Sequence, residues 1–242
     1  MPYRTRIFFL CVLMVPIVCQ GQLFKPDTTV LAQAKEDTKK IYFQSIRGQS
    51  RLYNGSDHIM YQSKEDEHPY FPMDDWTFGT IVYDASFYEN VPLMYDISQD
   101  KVLTEHVLNG SVMELVGKKI ERFTMQAQVF VRLGKDAADK INEGFYEMLY
   151  PGLSKVYAKH EKVKQEFIRD QEIFARFDAK TKYFIFKNET YFPVQSKSSV
   201  LRVFDDRKQD VKKFISKNSL SFKTNRGKAI AQIAAFYDSQ KN

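Results

Sequence analysis

From Trp76 to Val194 the apolar residues fall in short runs, several of them alternating with polar ones, and turn-forming residues separate the runs. TFGTIVY, FYENVPLMYDI, KVLTEHVL and SVMELV read in succession as strands of an antiparallel meander, because alternate residues of a strand face opposite sides of a sheet. Asn109-Gly110, between the last two runs, predicts a two-residue hairpin, since both residues tolerate positive φ. Pro151-Gly152 predicts a turn between GFYEMLY and LSKVYAKH, with Pro setting one φ and Gly accepting the opposite sign. Asn188 marks a third hairpin, joining KYFIF to TYFPV. This recurrence predicts a rolled or barrel-like sheet, with a short helical crossover at Lys135 to Asn142.

On either side of this region the period changes. VLAQAKEDTKK, behind Asp27 or Thr28 as cap, predicts a helix from Thr29 to Ile46. Gly48 to Asp75 is polar and irregular and reads as an ordered surface segment leading into the sheet. Toward the end of the chain, Val211, Phe214 and Ile215 fall on one face of a helix from about Asp206 to Lys217, and Ile230, Ile233, Ala234 and Tyr237 repeat the helical spacing in a second. Ser196 or Ser198 is placed to cap a short helix before them. The expected fold is α+β: an antiparallel sheet, an N-terminal helix, and a C-terminal helical pair docked on the sheet by its apolar stripes.

The first residues change the picture of where this fold works. Arg4 and Arg6 precede an apolar run from Ile7 to Val18, and Cys19-Gln20-Gly21 follows with small residues at the positions a signal peptidase reads. A run of about twelve residues rises only about 18 Å as a helix, too short for a roughly 30 Å hydrocarbon core. Cleavage before Gln22 is expected, without lipid on Cys19. The organisation is then residues 1–21 signal peptide, 22–75 N-terminal helix and lead-in, 76–194 antiparallel β domain, and 195–242 a helical segment packed on it. Because Cys11 and Cys19 are the two cysteines of the chain, the mature protein is expected to have neither disulfides nor thiolate chemistry.

The net charge of +6 is unevenly spread: residues 47–110 hold four Lys or Arg against eleven Asp or Glu, while residues 195–242 hold eleven against four. Basic helices suit solvated surfaces, and they also allow a weak contact with an anionic surface.

Ser56, Asp57 and His58 are the residue types of a hydrolytic triad, but consecutive side chains diverge and no G-x-S-x-G elbow presents a serine. Glu65, Asp66, Glu67, His68, Asp74 and Asp75 form an acidic cluster whose spacing matches no calcium loop. His106 and His160 stand alone in the sequence, and no glycine motif cradles a phosphate. No catalytic, cofactor-binding or metal residue is assigned, no cofactor is expected, and nucleic acid is not an expected partner. Tyr183, Phe184, Phe186, Tyr191 and Phe192 crowd one hairpin, as core or as a stacking platform for a sugar or protein.

Leu52-Tyr53-Asn54-Gly55, the block from Gly79 through IVYDASFYENVPLMYD to Asp96, Gly144 to Tyr150, and VKKFISKNSLSF followed by Phe236-Tyr237-Asp238 resemble a family of exported β-rich proteins of Bacteroidetes-type bacteria. Gln22 after the cleavage site is similar to exported proteins of that group. The resemblance implies a β-rich envelope protein and transfers no active site. The expected function is that of an exported, soluble, non-enzymatic binding or structural module of the envelope, periplasmic or extracellular, whose partner is an envelope protein or glycan. The alternatives are a hydrolase acting on an envelope or sugar substrate, or a glycan-binding module.

Overall fold

A computed structural model of the chain describes residues 33–35, 37–38, 51–61, 67–136, 138 and 140–240. The chain divides into a unit of residues 1–45 and one of residues 46–242. In the first, the described residues of the expected N-terminal helix are helical, and Thr38 Oγ1 donates to the Ala34 carbonyl at 2.7 Å. The rest of that helix and the signal segment lie outside the described residues.

The described residues of the second unit form twelve strands: β1 (Ser56–Asp57), β2 (Tyr70–Phe71), β3 (Thr77–Tyr83), β4 (Ser86–Asp96), β5 (Lys101–Glu105), β6 (Val112–Glu114), β7 (Ile120–Met125), β8 (Gln128–Leu133), β9 (Gly144–Tyr150), β10 (Lys155–Arg169), β11 (Glu172–Lys187) and β12 (Thr190–Val194). They form one antiparallel sheet in the order β1-β6-β5-β4-β3-β7-β8-β9-β10-β11-β12, with β2 beside β4. The chain walks outward from β3 to β6, returns to the other side of β3, and walks outward again to β12. The architecture is α+β with an open hydrogen-bonded path. The sheet nonetheless rolls: the Lys162 N–H donates to the Ile97 carbonyl at 3.3 Å, bringing β10 against the end of β4. Register shifts at Gly79/Ile81, Val82/Tyr83 and Val156/Tyr157 supply local curvature. At Gly79 a Cβ would stand 1.9 Å from the Thr124 carbonyl oxygen, so only glycine allows β7 to approach there.

Alternation decides what each face buries. Inside the roll lie Leu93, Tyr95, Phe123, Phe130 and Phe145, all at most 3% exposed. Phe130 stacks on Phe123 at 4.8 Å, and Tyr95 meets both rings edge-on. Across β9 to β12, Val156, Ile185 and Val194 face the other way, onto three helices: α1 (Lys197–Val203), α2 (Lys208–Lys217) and α3 (Arg226–Ser239). Ser196 caps α1, accepting from the Ser199 N–H at 3.3 Å, and Asn225 caps α3, accepting from the Lys228 N–H at 3.2 Å. Val211 and Ile215 of α2 and Ile230, Ile233, Ala234 and Tyr237 of α3 form the docked stripe expected from their spacing, while Lys208, Lys212 and Lys213 are exposed. No helix of the described residues is long and apolar enough to cross a membrane.

Several local expectations are corrected. Asn109-Gly110 does not make a two-residue hairpin: β5 and β6 are joined by a wider loop in which the Gly110 N–H donates to the His106 carbonyl at 2.8 Å and only Gly110 of the pair has positive φ. The Asn109 side chain instead accepts from the Ser111 N–H at 3.1 Å, a local bond that competes with the tighter turn. Two-residue turns with both φ positive fall at Asp84-Ala85, Asp170-Gln171 and the expected Asn188-Glu189. At Pro151-Gly152 the turn stands, but Gly152 is not in the left-handed region; a Cβ there would lie 2.3 Å from the Tyr150 ring, so close packing selects the glycine. The described residues of Lys135 to Asn142 are not helical, because the Asp136 carboxylate accepts from the Ile141 N–H at 2.8 Å and Ile141 is buried beside Tyr146 and Phe184. The segment before Trp76 is not only surface: Leu52 and Tyr70 are 1% and 2% exposed, and β1 and β2 belong to the sheet.

Candidate functional site

The structure separates the groups that adjacency in sequence had placed together. Ser56 and Asp57 are exposed in β1, while the His58 ring stands 3.7 Å from the Glu114 carboxylate, so the three do not converge. Glu65 and Asp66 lie outside the described residues. Glu67 accepts from the Phe177 N–H of β11 at 3.0 Å, and Asp75 from the Trp76 N–H at 2.8 Å. His106 packs against Tyr53 at 5.0 Å. Among the described residues no group of three His, Asp or Glu is arranged to hold a metal ion. The aromatic hairpin serves as packing: Phe184 is buried, Phe186 meets Tyr191 at 4.6 Å, and Tyr183 lies under Gly227 of α3.

Two polar clusters that the sequence reading missed are assembled from separate strands. The first joins Asp100, Lys159 and Tyr95. Lys159 Nζ is 2.6 Å from Asp100 Oδ1 and donates to the Phe145 carbonyl at 3.1 Å; Tyr95 OH donates to the same carboxylate at 2.5 Å, and the Phe145 N–H donates to its second oxygen at 3.3 Å. Gly144 makes room, since a Cβ there would lie 2.1 Å from Asp100 and 2.7 Å from the Lys159 ammonium. Burial lowers the Lys159 pKa against the pull of Asp100, and burial together with Asp100 raises that of Tyr95. Lys159 and Asp100 line a cleft of about 400 Å³, in which Glu161 is likewise matched to Lys182 at 2.7 Å. The charges there are largely spent on each other, so the cluster ties the β4–β5 turn to β9 and β10.

The second cluster crosses three neighbouring strands. His160 Nε2 meets Glu147 Oε2 at 2.7 Å, and its Nδ1 meets Thr181 Oγ1 at 3.1 Å. A carboxylate only accepts, so Nε2 carries a proton and Nδ1 accepts from the threonine when the ring is neutral. The ring is packed at 4.6 Å from Phe71, and Glu147 and His160 line a shallow pocket beside α3.

Buried tyrosines around these clusters set an alkaline limit. Burial pushes Tyr146 and Tyr157 up to about 12 and raises Tyr95 in the same direction. Each folded pKa lies above the unfolded value near 10, so the neutral phenols contribute stability that is present below pH 10 and lost as pH rises through about 12. Lys159 has the opposite sign, its penalty easing toward the unfolded lysine value, and it offsets part of this loss. Unfolding midpoints measured from pH 9 to 12 are expected to fall steeply above about pH 10, as tyrosinate absorbance rises.

The third feature is the arm. β10 and β11 stay in register from Lys155↔Phe186 to Arg169↔Glu172, but β9 accompanies β10 only to Ala158 and β12 accompanies β11 only to Tyr183. Beyond these points the two strands run on as a ribbon about 30 Å long at roughly 3.3 Å per residue, closed by Asp170-Gln171 with φ of 53° and 66°. One face is steadied near its base, where Phe177 is buried against Tyr61 at 5.1 Å. The outer part is open: Val163, Phe167, Ile168 and Ile173 are 55%, 41%, 77% and 64% exposed. Isolated two-stranded ribbons are marginal in water; Phe167 stacks on Phe174 across the two strands at 5.9 Å, yet apolar side chains stay open to solvent on both faces.

The fold and arm thus define an exposed-ribbon α+β protein. No family model matches the chain, and no curated protein or solved structure matches it.

Proposed function

We propose that this chain is an exported, non-enzymatic binding or structural module of the bacterial cell envelope, and that the β10–β11 arm is its contact element. The signal-like N-terminus, the expected thiol-free mature chain and the sequence resemblance support the compartment. The observation that carries the contact reading is the exposure of Val163, Phe167, Ile168 and Ile173 on a ribbon that projects from its sheet. An apolar surface on a projecting element gains free energy only when covered. The docked helices α2 and α3 support core packing over membrane insertion, which leaves their lysines as solvated charge.

A photo-crosslinking residue placed at Ile168 in living cells is expected to give discrete protein adducts, and one at Lys213 on α2 is expected to give few. Equal or absent labelling at both sites sinks the arm reading. A second reading, as a hydrolase, is favoured by the Glu147–His160–Thr181 array, which has the order of orienter, base and nucleophile. Turnover of ester or amide substrates that is abolished by Thr181→Val would establish it instead.

A further inference from the structure

We propose that the outer edge of β10 docks a second copy of this chain, the two arms pairing antiparallel about a two-fold axis at Gln165. This rests on the reading of the arm as the contact element. The backbone parity sets which residues can pair. Lys162 turns its N–H away from β11, toward Ile97, so with a period of two Lys164, Glu166 and Ile168 turn theirs to the same outer edge. The opposite strand agrees: Phe177, which faces Lys164, turns its N–H outward to Glu67. Among the described residues no strand pairs with this edge past Ala158, and residues 163–169 are all exposed.

A two-fold antiparallel ladder joins outward-facing residues to outward-facing residues, which puts its axis on a residue rather than between two. Centred on Gln165, Lys164 faces Glu166 of the second copy and Glu166 faces its Lys164. Val163 then meets Phe167, and the ladder ends before Lys162, whose N–H is already donated to Ile97. Centred one residue away, Lys164 or Glu166 would meet its own copy, like charge on like charge. The charge pattern therefore selects one register out of the neighbouring three, and opposite-charge and apolar cross-strand pairs both favour it. Within one chain Lys164 Nζ and Glu166 Oε1 are already 2.6 Å apart, so pairing two arms gathers four charges of alternating sign.

Two short strands make a small interface, which implies a reversible dimer with a dissociation constant on the order of micromolar. Sedimentation velocity over a concentration series of the purified protein is expected to show it. Lys164→Glu or Glu166→Lys alone should weaken association about tenfold or more, since each creates two like-charge pairs across the axis. The double variant Lys164→Glu/Glu166→Lys should restore it, because the swap rebuilds both pairs with composition unchanged. Both positions tested are surface positions, and unchanged thermal melts will separate lost pairing from misfolding. A protein that stays monomeric to about 100 µM, a dimer indifferent to the single reversals, or one that the swap fails to restore overturns the proposal. A monomeric chain that still gives Ile168 adducts to other envelope proteins overturns the second copy while leaving the arm as contact element; loss of both overturns the two together.

Discussion

Ile233→Asp is expected to lower unfolding free energy by roughly 3 to 5 kcal/mol, the range of the larger core disruptions. Ile233 is 0% exposed at the centre of the cluster that α1, α2 and α3 form with Val156, Ile185 and Val194. The substitution removes its apolar contacts and leaves a carboxylate with no water to solvate it. The double reversal Lys212→Glu/Lys213→Glu, on exposed residues of α2, is expected to cost under about 1 kcal/mol. Denaturant melts of the two variants should therefore separate clearly. A neutral Ile233→Asp, with retention on anionic vesicles abolished by the lysine reversal, would instead make these helices a membrane-surface device.

The second large effect is expected at the Asp100–Lys159 pair. Asp100→Ala removes the acceptor of Tyr95 OH, of the Phe145 N–H and of the Lys159 ammonium at one stroke. Lys159 is 8% exposed, and stranding its charge is expected to cost about 3 to 5 kcal/mol. Lys159→Met in the Asp100→Ala background should recover a large part of that loss, because the remaining cost is then packing rather than an unpaired charge. A double-mutant cycle by urea unfolding tests this, and additive losses would show that the two residues are not coupled. If the cleft were a catalytic centre and not a tie between strands, the same variants would change turnover more than stability.

Much of the fold was legible because it rests on local rules. Period-two runs announced β3, β4, β9 and β12, and the stripe of Ile230, Ile233, Ala234 and Tyr237 announced α3. Ser196 and Asn188 mark a cap and a turn through their own side-chain and backbone preferences. The turn and helix rules failed where a short-range side-chain bond outweighed them: Asn109 found a bond to Ser111 and opened its turn, and Asp136 drew the Ile141 N–H away from a helix. The arm was illegible for a related reason. Its outer residues mix charges and apolar groups on both faces, as a ribbon without a core beneath it must, so no periodicity marks it.

The sequence by itself determined the alternation of strands, the apolar faces of the C-terminal helices, the acidic and basic halves, and the expectation of export. Those properties reside in neighbouring residues and need no partner. Only the tertiary structure decided that Asp100 would meet Lys159, that Glu147, His160 and Thr181 would align, and that β10 would outrun β9. Each of these joins residues from different strands or depends on where a neighbouring strand stops, and sheet register carries that information whereas spacing along the chain does not.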